Sequence, residues 1–311
     1  MASPLDSTYG AWLVCIWLQT LLQGCGMLQV WLYFLWYKND HRGIKAMVLV
    51  LLLIETFQSV TFFQVTYEYL IDGFGDFPGL LKVLWQGPAQ LFAIYLSAFI
   101  VQMYFVYCIY SLNPQNKILP GIITVLALTQ IGAGLAQTIL TLRLTSFTHI
   151  GSTKAITTLE ASAAFLCDIT ITVSLIVILG RRKGAIKSTN TILESLMINA
   201  INRGMLTALC ALINLVLFLA LPGTFYFFFG LTLSGKFYMN SALATLNSRQ
   251  HVYAKARGGK DSTWNSIPMS NMSQSATAAE SDGRVRVVVT KQTDVDAFDD
   301  RKKSAFIDGM V

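Results

Sequence analysis

The sequence is short of charged residues and of the side chains that build metal centres and disulfide frameworks. Only 13% of its 311 residues are Asp, Glu, Lys or Arg, whereas soluble domains average about a quarter. The three histidines are scattered along the chain, and no histidine–cysteine spacing typical of a metal site occurs. All five cysteines fall within apolar stretches, so no extracellular disulfide framework is indicated. These absences argue against a soluble domain and leave no metal or cofactor to assign.

What the sequence has instead is long apolar runs. It is 54% hydrophobic, with a mean hydropathy of +0.53, and contains segments such as MVLVLLLI (47–54) and LINLVLFLAL (212–221). A helix that crosses a bilayer needs about 20 mostly apolar residues. The sequence therefore predicts an all-α, polytopic membrane protein, a seven-transmembrane helix bundle with spans at about 11–37, 46–71, 88–112, 118–143, 155–180, 195–220 and 224–247.

Basic residues predict how the chain is oriented. Loops one, three and five carry most of them, while loops two, four and six hold only Lys82, Arg143 and Lys154. Because cytoplasmic loops are enriched in Lys and Arg, this pattern places the N-terminus outside and the C-terminus in the cytoplasm. We expect residues 1–10 to be extracellular, 11–250 to form the seven-helix domain and 251–311 to be a cytoplasmic tail. We expect the plasma membrane rather than an internal membrane, and an uncleaved first span.

The C-terminal segment and loop five suggest contacts on the cytoplasmic side. From about residue 252 the chain is polar and rich in Ser and Gly, which predicts a disordered tail. The cluster Arg181, Arg182 and Lys183 in loop five is expected to contact anionic lipid headgroups. A cytoplasmic partner would bind through loop five and the tail. The net charge of +6 is explained by membrane topology, so nucleic acid need not be invoked.

Four ionisable residues lie deep within predicted spans: Glu55, Asp168, Arg203 and Lys236. A charge in hydrocarbon costs at least about 2.5–3.5 kcal/mol, so such residues normally face the bundle and find partners. Measured along each helix from its cytoplasmic end, Glu55 lies level with Arg203, and Asp168 lies level with Lys236. The depths therefore predict two ion pairs, Glu55–Arg203 and Asp168–Lys236.

Polar residues at helical spacing extend this inward face. Span six carries Asn199, Arg203 and Asn214 on one side, and span seven carries Lys236, Asn240 and Asn247. Two interpretations stay open. The polar groups bond to one another and hold the helices together, or they line a cavity for a small-molecule or lipid ligand.

A resemblance follows from three segments: ASAAFLCDITITVSLIVIL, TNTILESLMINAINRGMLTALCALINLVLFLALP and GKFYMNSALATLNSRQHV. They resemble a family of fungal seven-transmembrane proteins, expanded in mushroom-forming species and catalogued as a domain of unknown function. The signature K-x-Y-x-N-S-x-L-A-T-L-N-x-R is the most specific element, with Ser248 in place of the usual Ala. The resemblance implies a membrane architecture and no activity. It singles out the positions Asp168, Lys236, Tyr238, Asn240, Ser241 and Asn247.

Two functions are expected from these features. One is a receptor-like sensor of a small or lipidic ligand, although the motifs of rhodopsin-type receptors in spans three and seven are missing. The other is a membrane transporter or lipid translocator, although no internal repeat is found. A retinal-binding Lys236 with Asp168 as counter-ion is disfavoured because span three has no acid. No Ser–His or paired-aspartate arrangement occurs at helical spacing, so we expect no enzyme.

Overall fold

The described residues form seven long α-helices. The computed structural model describes residues 5–181 and 187–256, without the side chains of 187–196, 199, 200, 203 and 250–256. The helices are α1 (Ala11–Trp36), α2 (Arg42–Tyr67), α3 (Gln86–Leu112), α4 (Ile118–Arg143), α5 (Lys154–Arg181), α6 (Lys187–Ala220) and α7 (Phe227–Ala256). Short helical turns at Asp6–Gly10, Glu68–Asp72, Gly79–Leu81 and Phe147–Thr153 flank them. Within the described ranges no β-strand forms, and one isolated bridge joins Lys82 to Ser146.

The helix boundaries follow the predicted spans to within about four residues, with larger differences at the last two helices. Helix α6 begins at Lys187 rather than at 195, and α7 ends at Ala256 rather than at 247. The turn between α6 and α7 contains Pro222 and Gly223, and the φ of Gly223 is 85°, a left-handed value that favours glycine. After it, the backbone N–H of Phe225 donates to the carbonyl oxygen of Ser7 at 3.0 Å. Helix α7 begins at Phe227, three residues after the predicted start at 224. The helix then continues past the predicted boundary at residue 250, and residues 257–311 lie outside the described part of the chain.

The hydropathy of the helices is that of a multi-pass membrane protein. Five helical segments are long and apolar enough to cross a bilayer: Asp6–Trp36, Arg42–Asp72, Gln86–Leu112, Ile118–Arg143 and Phe147–Arg181. A shorter apolar stretch lies at Gly204–Ala220. Large apolar side chains point away from the bundle along a whole helix face, as on α1: Leu13, Trp17, Leu21, Leu28, Trp31 and Leu35. Since such a surface is favourable in lipid, the protein is an integral membrane protein, all-helical over its described residues.

Consecutive helices are neighbours, and α7 closes the ring against α1. Helices α3 and α7 also contact each other across the middle, and α3 is the most buried of the membrane-length helices. Helices α1, α3, α5 and α7 begin at the same end of the bundle, which we call the N-terminal end. The other end is called the opposite end.

The interior is apolar at both ends and polar between them. An apolar cluster at the N-terminal end includes Trp12, Phe62 and Phe225. A larger one reaches the opposite end and includes Phe105, Ile123 and Leu246. Between them lie buried side chains that we call the polar layer: Gln23, Glu55, Gln102, Gln130, Glu160, Asp168, Asn214 and Lys236.

Candidate functional site

The Lys236 ammonium lies at the centre of the most highly connected part of the polar layer. Its Nζ lies 2.8 Å from Oε2 of Glu55, and both side chains are completely buried. It also donates to the backbone oxygen of Glu55 at 2.7 Å, to Oε1 of Gln23 at 3.1 Å and to Oγ of Ser59 at 2.9 Å. A lysine ammonium has three hydrogens to donate, so these oxygens saturate it. The pair joins α7 to α1 and α2.

A glycine next to the lysine makes this pairing possible. A Cβ placed on Gly235 would lie 2.8 Å from Oε1 of Glu55, closer than side chains normally approach. The absence of a side chain at this position therefore gives the Glu55 carboxylate its place against α7. The local sequence Gly-Lys thus supplies both the space and the cation.

The predicted Asp168–Lys236 ion pair is wrong, because Lys236 pairs with Glu55 instead. The predicted Glu55–Arg203 pair involves a side chain outside the described residues and stays a prediction. Asp168 accepts a hydrogen bond at 2.7 Å from the hydroxyl of Tyr238. Residues 236 and 238 project about 200° apart around a helix of 3.6 residues per turn. Consequently Lys236 faces α1 and α2, while Tyr238 faces α5. Asp168 is not placed as a counter-ion to Lys236.

Two predicted site residues hold α7 against α1. Nδ2 of Asn240 donates to the backbone oxygen of Leu22 at 3.0 Å, and Nδ2 of Asn247 donates to that of Gln29 at 2.9 Å. Both pairs have the same offset in sequence, so the two parallel helices stay in register over two turns. For these asparagines the structure supports the helix-joining interpretation rather than a cavity lining.

A second network in the polar layer was not expected from the sequence. Nε2 of Gln102 donates to Oε1 of Gln130, whose own Nε2 donates to Oε1 of Glu160 at 3.3 Å. This chain links α3, α4 and α5. The sequence held a signal for it, because Glu160 lies inside predicted span five and eight residues before Asp168. That spacing places both acids on one helix face.

A cavity of about 50 Å³, which we call the outer cavity, lies at the N-terminal end of the bundle. The loops before α3 and α5 contribute Val83, Phe147 and Ile150 to its wall. Most of the lining is apolar. Polar side chains enter from α3 to α7, namely Gln90, Gln137, Thr141, Thr157, Asn214 and Thr232.

A smaller cavity of about 20 Å³, which we call the inner cavity, lies deeper among α3 to α7. Ile94, Asn214 and Leu231 line both cavities and so form the partition between them. Asn214 is 5% exposed, and its Oδ1 has no hydrogen-bond partner. A buried amide oxygen without a partner is costly, so Asn214 is the predicted site residue best placed to bind something else.

The remaining predicted residues are less informative. The hydroxyl of Ser241 bonds within its own helix, to the backbone oxygen of Tyr238 at 3.0 Å. Arg181 is exposed at the end of α5. Arg182 and Lys183 lie outside the described residues, as do the side chains of Asn199 and Arg203.

Comparison with known proteins adds one finding. A model described as Family of unknown function (DUF6534) matches residues 164–251, from α5 to α7. The chain is similar to that family over the part that contains Asp168, Asn214 and Lys236, whereas Glu55 and Glu160 lie outside it. No curated protein and no solved structure matches the chain.

Proposed function

We propose that this protein is a seven-span, receptor-like sensor that binds a small polar molecule in the outer cavity. The observation that carries the proposal is the unpartnered Asn214 carboxamide oxygen between the two cavities. A binding site typically combines an apolar wall with a few convergent polar groups, and the outer cavity has this composition. Gln137 and Thr157 would supply further hydrogen bonds to the same molecule.

The position of the cavity favours a ligand from outside the cell. Residues of loops two and four form part of its wall, and the distribution of basic residues puts these loops outside. The same distribution supports the N-terminus-outside topology and, as part of this proposal, the plasma membrane. A cytoplasmic partner would bind through loop five and the tail, which lie mostly outside the described residues.

The size of the cavity limits the ligand. Sites for drug-sized molecules enclose about 300–1,000 Å³, far more than the outer cavity provides. A compact solute of a few heavy atoms fits the outer cavity, whereas a lipid chain does not. We therefore favour the small ligand over the lipidic one.

The opposite half of the bundle favours sensing over transport. Between the polar layer and the opposite end lies the apolar cluster that includes Phe105, Ile123 and Leu246. A transporter or lipid translocator would have to open that cluster, so transport is kept as the second candidate. The resemblance to fungal seven-transmembrane proteins, carried by the signature around Lys236, agrees with either function and with a non-enzymatic role.

The test combines binding with flux. The unfolding temperature of purified full-length protein is measured with and without each member of a panel of amino acids, polyols and short amides. The same measurements are made on Asn214→Leu and on Asn39→Leu, a control at an exposed position. We expect some solutes to stabilise the wild type and the control but not Asn214→Leu. Proteoliposomes should show no uptake of the same solutes or of labelled phospholipid. The sensor proposal is contradicted if any of these solutes or the phospholipid is transported robustly. It is also contradicted if no solute in the panel gives a stabilisation that depends on Asn214.

A further inference from the structure

The carboxyl group of Glu160 is the starting point, because it lies in the inner cavity and has no basic partner among the described side chains. Glu160 is 5% exposed and lines the inner cavity. It accepts one hydrogen bond, from Nε2 of Gln130 at 3.3 Å. Among the described side chains, no Lys or Arg nitrogen lies within 4.0 Å of it. An ionised carboxylate in such a place needs a cation to balance it.

Oxygen atoms surround the same small space. The amide of Asn214 lines it and has an oxygen without a hydrogen-bond partner. The hydroxyl of Ser234 also lines it and donates to the backbone oxygen of Leu231, which leaves its lone pairs available. Gln130 and Tyr238 add an amide and a phenol. These groups come from α4, α5, α6 and α7, so a bound species would link four helices.

The size and chemistry of the inner cavity select the species. A volume of about 20 Å³ exceeds the roughly 10–15 Å³ needed for one water-sized particle and is too small for an organic ligand. Oxygen ligands suit hard cations. A divalent ion usually has more than one carboxylate, and the described residues contain no cluster of three acidic, histidine or cysteine side chains. One carboxylate surrounded by neutral oxygens matches a single positive charge.

We propose that the inner cavity is a binding site for a monovalent alkali cation, with Glu160 as the anionic ligand and Asn214 and Ser234 as neutral oxygen ligands. Binding balances the buried carboxylate and gives Asn214 Oδ1 its missing partner. The proposal does not depend on the sensor function, because cation binding is measurable without any other ligand. If both proposals hold, Asn214 couples the cation to the ligand in the outer cavity.

The test is a cation titration of full-length protein in lipid nanodiscs. NaCl is exchanged for N-methylglucamine chloride at constant ionic strength, and the unfolding temperature is recorded. At about ten times the dissociation constant, mass action predicts a saturable rise of about 3–6 °C. Lowering the pH is expected to raise the Na⁺ concentration at half-saturation, because protons compete for the Glu160 carboxylate. Glu160→Gln removes the rise and Ser234→Ala weakens Na⁺ affinity.

The matched control is Glu68→Gln. Glu68 is an acid at the start of the helical turn that follows α2, and it accepts a hydrogen bond from Gln86 at 2.8 Å, away from the inner cavity. This variant should keep the full Na⁺ response. Equal unfolding temperatures of the wild type in Na⁺, K⁺ and N-methylglucamine at every pH would overturn the proposal, and so would an undiminished response in Glu160→Gln. A response to divalent cations alone would also overturn it.

Discussion

Removing the charge of Lys236 tests the structure of the polar layer most severely. Lys236→Met keeps much of the aliphatic volume but leaves the Glu55 carboxylate and the Gln23 amide oxygen without their shared donor. Because both charged side chains are completely buried, the estimate for a buried pair applies rather than the smaller one for a surface pair. Breaking a buried pair costs about 3–5 kcal/mol.

The decisive comparison is with double variants. Lys236→Met combined with Glu55→Gln removes both charges and should recover at least about 2 kcal/mol of the loss, because no uncompensated charge remains. Lys236→Met combined with Asp168→Asn should recover nothing, since Asp168 bonds to Tyr238 instead. Since a loss of 1 kcal/mol lowers the unfolding temperature by about 2–4 °C, the unfolding temperature of the single variant should fall by about 6–20 °C. It is measured by fluorescence-detected size-exclusion chromatography after heating. Recovery by Asp168→Asn, or none by Glu55→Gln, would refute the reasoning.

Two further predictions concern helix packing. Gly230→Ala should lower the free energy of unfolding by about 1–3 kcal/mol, because its Cβ would overlap the α6 backbone. The Cβ of Gly132→Ala meets nothing within 4 Å, so this variant should be neutral or raise the free energy of unfolding by about 0.5–1 kcal/mol. Equal effects in thermal unfolding would contradict the close α6–α7 contact. Asn240→Leu and Asn247→Leu should each cost about 1 kcal/mol and add in the double variant, while Ser241→Ala changes stability by less than about 0.5 kcal/mol. If denaturant titrations give the double variant a smaller loss of stability than the sum of the two single losses, the hydrogen bonds of Asn240 and Asn247 to α1 are not independent.

The sequence was sufficient to predict the helices and the inward position of the polar residues. Apolar length set the spans, and Pro222 with Gly223 marked the turn before the last helix. The partners of the charges could not be predicted in the same way. Depth along a helix follows from residue count, but the direction of a side chain depends on how each helix is rotated against its neighbours. Lys236 and Tyr238, for example, are only two residues apart in α7 and face opposite sides of it, towards α2 and α5 respectively.

Glu160 shows a different limit. The sequence places it inside span five, but its role depends on its hydrogen bond with Gln130 and on a cavity formed by five helices. No single-helix pattern contains that information. The same holds for Asn214, whose importance comes from a missing hydrogen bond rather than from its residue type.

The central claim of the proposed function is that the outer cavity, with the Asn214 amide in its wall, is reached from outside the cell and is closed towards the cytoplasm. Its most direct test is labelling of Asn214→Cys, in a cysteine-free background, with a membrane-impermeant methanethiosulfonate added to either side. Asn240→Cys serves as the control, because that position is held against α1. We predict labelling of residue 214 from outside only, and none at 240. Labelling of 214 from the cytoplasmic side, or equal reaction at both positions, would contradict the account.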